Sequence, residues 1–229
     1  MVDWNNYAKF GNLQSVIDFA DVNGYKNKYI NILHHKILLN EIGNKLKGKK
    51  VLDLGCGIGR FTQFLQDSGA AEVVGVDSCE EMLSLNINCK TVCAPIYKLP
   101  FEDNSFDAVL CVWVLEYLTD DELILTANEI ERILVTGGCV YTIEKISGGY
   151  EGRQARYLLN YSNAFKRFRV SIARSIAYRD DKIINIVKKG LIPECCLSIL
   201  ADLHLKFTAM LSIKSNEYLD YFVLYRKRY

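Results

Sequence analysis

Between residues 51 and 144 short apolar runs alternate with amphipathic stretches, and this alternation restricts the chain to one fold class. The first run, Val51-Leu-Asp-Leu54, ends in Gly55-Cys-Gly-Ile-Gly59. The segment after it places Phe61, Phe64 and Leu65 on one helix face and stops at Gly69. A second run, Glu72–Val76, ends on Asp77 and leads into a helix near Ser78, with Glu80 and Glu81 where acids stabilise a helix start. Further strands are expected near Lys90–Ala94, over Phe106–Val112 and over Cys139–Glu144, with a helix over Asp120–Leu134. Two closing strands near Lys206–Ile213 and Tyr218–Tyr225 would form an edge hairpin. The rhythm predicts an α/β fold: a doubly wound, mostly parallel seven-stranded sheet with helices on both faces.

With 229 residues, half of them hydrophobic, the chain reads as a single domain, 1–229. Residues 1–47 form an amphipathic N-terminal helical cover, expected to bring Tyr7, Tyr25 or Tyr29 near a ligand, and 48–146 the ligand-binding core. Segment 147–178 breaks the rhythm and reads as an inserted lid after the fifth strand; 179–229 supply the last helix and the hairpin. That lid carries Arg153, Arg156, Lys166, Arg167, Arg169 and Arg174 against Glu151 alone. The formal net charge is only +1, which argues against a nucleic-acid coat or a polybasic membrane binder. The eight cysteines contain no C-x-x-C pair, so neither metal ligation nor a disulfide scaffold is expected. Met1 is followed by polar residues and the longest apolar run, Ala108–Leu115, cannot span a bilayer, so a soluble cytoplasmic protein is expected.

The chemistry concentrates at Asp53-Leu-Gly-Cys-Gly-Ile-Gly59. Glycines in such a loop let a ligand approach the backbone, and the following helix start offers unpaired N–H groups. A dinucleotide fingerprint would need glycine at position 60, which is Arg60. Asp53, two residues before the first glycine, would repel a pyrophosphate and attract an ammonium group. Asp77, at the end of the second strand, can accept hydrogen bonds from both hydroxyls of a ribose; taken alone it would also serve as a helix cap.

These stretches resemble the class I S-adenosylmethionine-dependent methyltransferases of the small-molecule type. V-L-D-L-G-C-G-I-G-R (51–60) and V-V-G-V-D-S (73–78) are similar to that family's first two motifs. L-P-F-E-D-N-S-F-D (99–107) and R-I-L-V-T-G-G (132–138) are similar to later landmarks, with Val135-Thr136 where Lys-Pro or Arg-Pro is commoner. The resemblance covers about 51–145 and implies S-adenosyl-L-methionine as cofactor, S-adenosyl-L-homocysteine as product, and no metal. It further implies that Asp53, Gly55, Cys56 and Gly57 hold the methionine moiety, Asp77 the ribose, and Ser78 the neighbourhood of the adenine. Ile96 would supply a backbone contact to the ring, while Pro95 stands where relatives carry an acid. Val112 and Trp113 would close the fourth strand beside the sulfonium, whose charge an indole face attracts.

Methyl transfer requires alignment more than acid–base chemistry, so no residue is assigned as the catalyst; His34, His35 and Glu116 are the candidates for a base, and His204 reads as structural. The acceptor is expected to be a small molecule, anionic if arginines of the lid line its pocket. Methylation of a peptide, protein or RNA is the alternative, as is a non-catalytic cofactor-binding subunit. Base methylation in nucleic acid is disfavoured because Cys-Val-Trp-Val (111–114) replaces the Asn/Asp-Pro-Pro-Tyr/Phe that flips a base.

Overall fold

A computed structural model describes residues 3–87, 89–146, 158–177, 182–210 and 219–227. In chain order, α1 (Trp4–Ala8) and α2 (Tyr25–Glu41) precede β1 (Lys50–Leu54), α3 (Thr62–Asp67), β2 (Glu72–Asp77), α4 (Glu80–Leu83) and β3 (Lys90–Cys93). Then come β4 (Phe106–Val112), α5 (Asp120–Ile133), β5 (Leu134–Ile146) and α6 (Leu158–Ala164). The chain continues through β6 (Phe168–Ala177), α7 (Lys182–Lys188), α8 (Leu197–Met210) and β7 (Leu219–Lys227). Among the described residues the seven strands form one sheet, ordered β3-β2-β1-β4-β5-β7-β6. Strands β1 to β5 pair in parallel, while β7 runs antiparallel to both β5 and β6. The expected doubly wound, mostly parallel sheet is therefore present.

Successive side chains of a strand point to opposite faces, so each strand feeds two cores. From β4, Ala108 and Leu110 join Leu33 and Ile37 of α2, Leu65 of α3, Val187 of α7 and Ala201 of α8. Val109 and Cys111 join Leu123 and Ile130 of α5 and Phe165 just after α6 on the other side. Each fully buried Leu or Ile contributes about 1.5–3 kcal/mol, so both helical layers are integral to stability. Helix α5 starts where the sequence specifies it: Thr119 Oγ1 accepts from the Glu122 N–H at 3.2 Å, and Glu122 Oε2 accepts from the Thr119 N–H at 2.8 Å. This reciprocal box satisfies two donors that a helix start otherwise leaves orphaned. Among the described residues no helix is long and apolar enough to cross a membrane.

Two expectations are corrected. Lys206–Met210 continue α8 rather than form a strand, and 211–213 lie outside the described residues. Buried Leu197, Ala201 and Leu205 recur every fourth residue, which is a helical spacing. The sixth strand is instead Phe168–Ala177, inside the segment expected to be lid. Its Arg-Val-Ser-Ile-Ala-Arg run (169–174) alternates as an edge strand does, and its charges masked that pattern. Residues 147–157, with Arg153 and Arg156, lie outside the described residues.

Candidate functional site

The strand order reverses between β1 and β4, and at such a switch point the carboxyl ends of the strands leave a crevice. A cavity of about 370 Å³ lies there. Asp53, Gly55, Cys56 and Gly57 line it from the end of β1, and Asp77 and Ser78 from the end of β2. Ile96 and Val112 complete the wall, so every cofactor position expected from the sequence faces one space.

The glycine loop is pinned from below, where the N–H groups of Gly55 and Cys56 donate to the Val76 carbonyl at 2.7 and 2.9 Å. Gly55 has a φ of +68°, and a Cβ on it would lie 2.4 Å from Val114 Cγ2. Only glycine meets both conditions. Gly57 has a φ of +49°, and a Cβ there would meet Val16 at 3.1 Å, narrowing the cradle. Asp77 ties this loop to β2, because Oδ2 accepts from the Gly57 N–H at 2.9 Å and Oδ1 from the Cys79 N–H at 3.0 Å. Burial pushes its pKa up and these N–H bonds oppose the shift. The cap expected as its bland role and the loop contact thus come from the same carboxylate.

Asp53 is 3% exposed yet reaches the cavity wall. Its Oδ2 accepts from Thr62 Oγ1 at 3.2 Å. Burial raises its pKa to about 7, opposed by the Thr62 bond and by Arg60 and assisted by Asp77. A cation entering the cavity would restore the charged carboxylate.

Arg60 also lines the cavity. Sequence reasoning treated it only as a break in a dinucleotide fingerprint, although its place directly after the last glycine puts it at the loop's mouth. Its Nε donates to Asn31 Oδ1 at 3.2 Å and its Nη2 to His34 Nδ1 at 2.9 Å, and its guanidinium lies 4.7 Å from the Phe61 ring centroid. Since a guanidinium only donates, His34 Nδ1 accepts and carries no proton. Burial, then Arg60 and Lys145, hold the His34 pKa well below its usual range.

None of the three candidate bases is among the cavity-lining residues. His34 is buried, edge-on to Trp113 at 4.8 Å. His35 bonds the Asn31 carbonyl at 2.8 Å and packs on Phe61 and Phe64. Glu116 is buried beside Glu144, behind the wall. His204 is buried with Nδ1 2.9 Å from the Tyr29 hydroxyl, a structural pairing as expected. Trp113 does line the cavity, but the Lys145 ammonium sits 3.7 Å from its ring centroid, so one face of the indole already holds a cation.

The N-terminal aromatics divide. Tyr29 packs on His204 of α8, and Tyr25 lies against Gly190 after α7, both in the helical layer rather than near the cavity. Trp4 of α1 reaches the cavity instead, edge-on to Tyr117 at 4.9 Å, with the Tyr7 ring tilted against it at 5.8 Å. No periodicity marks Trp4 and Tyr117 as partners. Among the basic residues of the segment expected to be a lid, Arg167 pairs with Glu131 of α5 at 3.1 Å, on the surface over α5 and α6.

Residues 52–142 match the protein family described as a methyltransferase domain. The chain is 38% identical over 103 residues to an uncharacterised protein of Methanocaldococcus jannaschii, covering 44% of this chain and 43% of that one. It is 34% identical over 131 residues to the demethylmenaquinone methyltransferase of Staphylococcus aureus, covering 52% and 53%. The chain thus spans about half the length of the curated relatives it matches. Among solved structures, phosphoethanolamine N-methyltransferase 2 of Haemonchus contortus, in complex with phosphomonomethylethanolamine and S-adenosylhomocysteine, superposes with a TM-score of 0.66. At 17% identity, covering 100% of this chain and 61% of that one, the likeness is one of fold.

Proposed function

Residues 52–142 belong to the class I methyltransferase domains, and from that premise we propose that the protein transfers a methyl group from S-adenosylmethionine to a small-molecule acceptor. The observation that carries this reading is the convergence of Asp53, the glycine loop and Asp77 on one cavity. The cradle fits the cofactor: buried Asp53 and half-buried Asp77 sit where an ammonium and a ribose would lie, and a Cβ at Gly57 would intrude on it. When bound, the cofactor supplies a methyl group on a positively charged sulfur.

Asp53 would receive the ammonium group, and Arg60 at the loop's mouth the neighbouring carboxylate. Asp77 would accept from the ribose hydroxyls while still holding Gly57. Pro95 and Ile96 offer an apolar slot for the ring. Trp4 and Tyr117 would exclude water from the reacting end, so that α1 acts as the cover. The small-molecule acceptor rests on the named Staphylococcus relative and on the aromatic wall of Trp4, Tyr97 and Tyr117. His34 is stripped of basicity, and neither it nor His35 nor Glu116 lines the wall; alignment is then the contribution we assign to the chain, and it suffices for an already nucleophilic acceptor.

Calorimetry with S-adenosylhomocysteine tests the site. Asp77→Ala should weaken binding by about 1–3 kcal/mol, roughly 5- to 150-fold. A wild-type protein that does not bind would sink the reading. Binding without methyl transfer to any acceptor in a broad screen would favour a cofactor-binding subunit instead.

A further inference from the structure

The turn after β4 is a closely specified part of the cavity wall. Trp113 adopts a φ of +58°, a left-handed conformation rare for a bulky residue, and its N–H donates to the Ile143 carbonyl at 2.8 Å. The next residue, Val114, occupies the space in front of Gly55 that a Cβ would need. Trp113, Val114, Tyr117 and Leu118 all line the cavity. One side chain of the neighbouring strand grips this turn from behind. Glu144 of β5 is 3% exposed, and its Oε1 accepts from the N–H groups of Val114 and Leu115, both at 3.2 Å, and from the Cys111 thiol at 3.7 Å.

We infer that Glu144 is a positioning residue of the cofactor cavity: its carboxyl group clamps the turn at 113–115, seating Val114 against Gly55 and so presenting the glycine loop to the cofactor. The inference rests on the reading of this cavity as the S-adenosylmethionine site. Glu144 does this as a neutral acid. Burial, then the nearby Glu116 carboxyl, push its pKa up to about 8, against the two N–H bonds and the thiol. Its Oε2 is buried without a hydrogen-bond partner among the described residues, a placement far less costly for a neutral carboxyl than for a charge. The titratable groups facing it are Cys111 from β4, Glu116 from the turn and Tyr225 from β7, with Tyr161 of α6 in the same core. None of the four carries a positive charge to hold Glu144 ionised, and the Cys111 thiol opposes the shift only as a weak donor.

The test compares wild type with E144Q, which keeps the carbonyl acceptor and cannot ionise. Dissociation constants for S-adenosylhomocysteine would be measured by calorimetry from about pH 7 to about pH 9. At the lower limit E144Q should match wild type within about twofold. As the acid ionises, a charge on partnerless Oε2 beside Glu116 would drive the carboxylate out of the core and release the clamp, so across the range wild type should lose about tenfold in affinity relative to E144Q. Titration of Asp53 and of the ligand's own ammonium occurs in both proteins and cancels in that ratio. E144A should bind at least about tenfold more weakly at every pH; should it fail to fold, the E144Q ratio decides alone. Parallel pH profiles, or a tenfold loss in E144Q already at about pH 7, would overturn the inference while leaving the cofactor site intact. Absence of binding by wild type throughout would instead bring down the site reading, and this inference with it.

Discussion

Arg60 illustrates how one side chain acquires a role through its neighbours. Its Nε and Nη2 bond neutral partners, Asn31 and His34, so its charge is aimed without being neutralised by those two contacts. If it anchors a carboxylate, Arg60→Ala should cost about 1.5–3 kcal/mol in affinity for S-adenosylhomocysteine. The same variant should bind 5′-methylthioadenosine, which lacks the amino-acid end, as wild type does. Equal losses for both ligands in calorimetry would reduce Arg60 to a support for the loop. Gly55 gives a second test at this scale. Gly55→Ala combines a left-handed φ with a 2.4 Å approach to Val114, and should destabilise the fold by about 1–3 kcal/mol in urea unfolding. Adding Val114→Ala should recover part of that loss, because contacting residues couple. Strict additivity would show that the backbone conformation alone carries the cost.

At the scale of elements, the N-terminal region splits into two parts with different duties. Helix α2 buries Tyr29, Leu33, Ile37 and Leu38 in the layer with α7 and α8. Helix α1 touches α4 and the Tyr117 turn, and its cavity contact is Trp4. Removing residues 1–12 should therefore leave a cooperatively folding protein with weakened ligand binding. Removing 1–30 should abolish folding, since Tyr29 and Ile30 leave the core together. Circular dichroism melts of the two truncations separate these outcomes. A folded protein lacking 1–30 would show that α2 is dispensable and that the helical layer closes without it.

The whole molecule carries at least two buried carboxyls whose protonation favours the fold. Asp53 is raised to about 7 and Glu144 to about 8, both chiefly by burial. Each folded value lies above its unfolded one, so each contribution is complete below about pH 4 and is lost as pH rises through the raised value. The ligand-free protein should accordingly lose stability as pH rises from about 4 to about 8 and level off above that. Asp53→Asn and Glu144→Gln should each flatten that slope in denaturant titrations. Stability that stayed level across this range in wild type would mean that the two carboxyls are solvated in solution. Bound cofactor should also reduce the Asp53 part of the slope, because its ammonium would hold that carboxylate ionised.

By itself the sequence determined the alternation of strands and helices, the glycine loop and the two acids at the ends of β1 and β2. These are local signals: a period of two or 3.6, a turn only glycine tolerates, an acid where a strand stops. Parallel register then carries them to a common point, since Asp53 pairs with Gly75 in β2 and with Leu110 in β4. The packing of β6 and α8 was less legible, because the edge strand's alternation was overlaid with charge and the apolar spacing of Leu197, Ala201 and Leu205 fits a helix only when counted in fours. Tertiary structure alone decided that Arg60 leans on α2, that Trp4 meets Tyr117, and that Glu144 grips a turn 30 residues away. Such contacts join segments distant in sequence through single side chains and backbone N–H groups. They leave no periodic trace in the sequence, and they exist only once the sheet has brought those segments together.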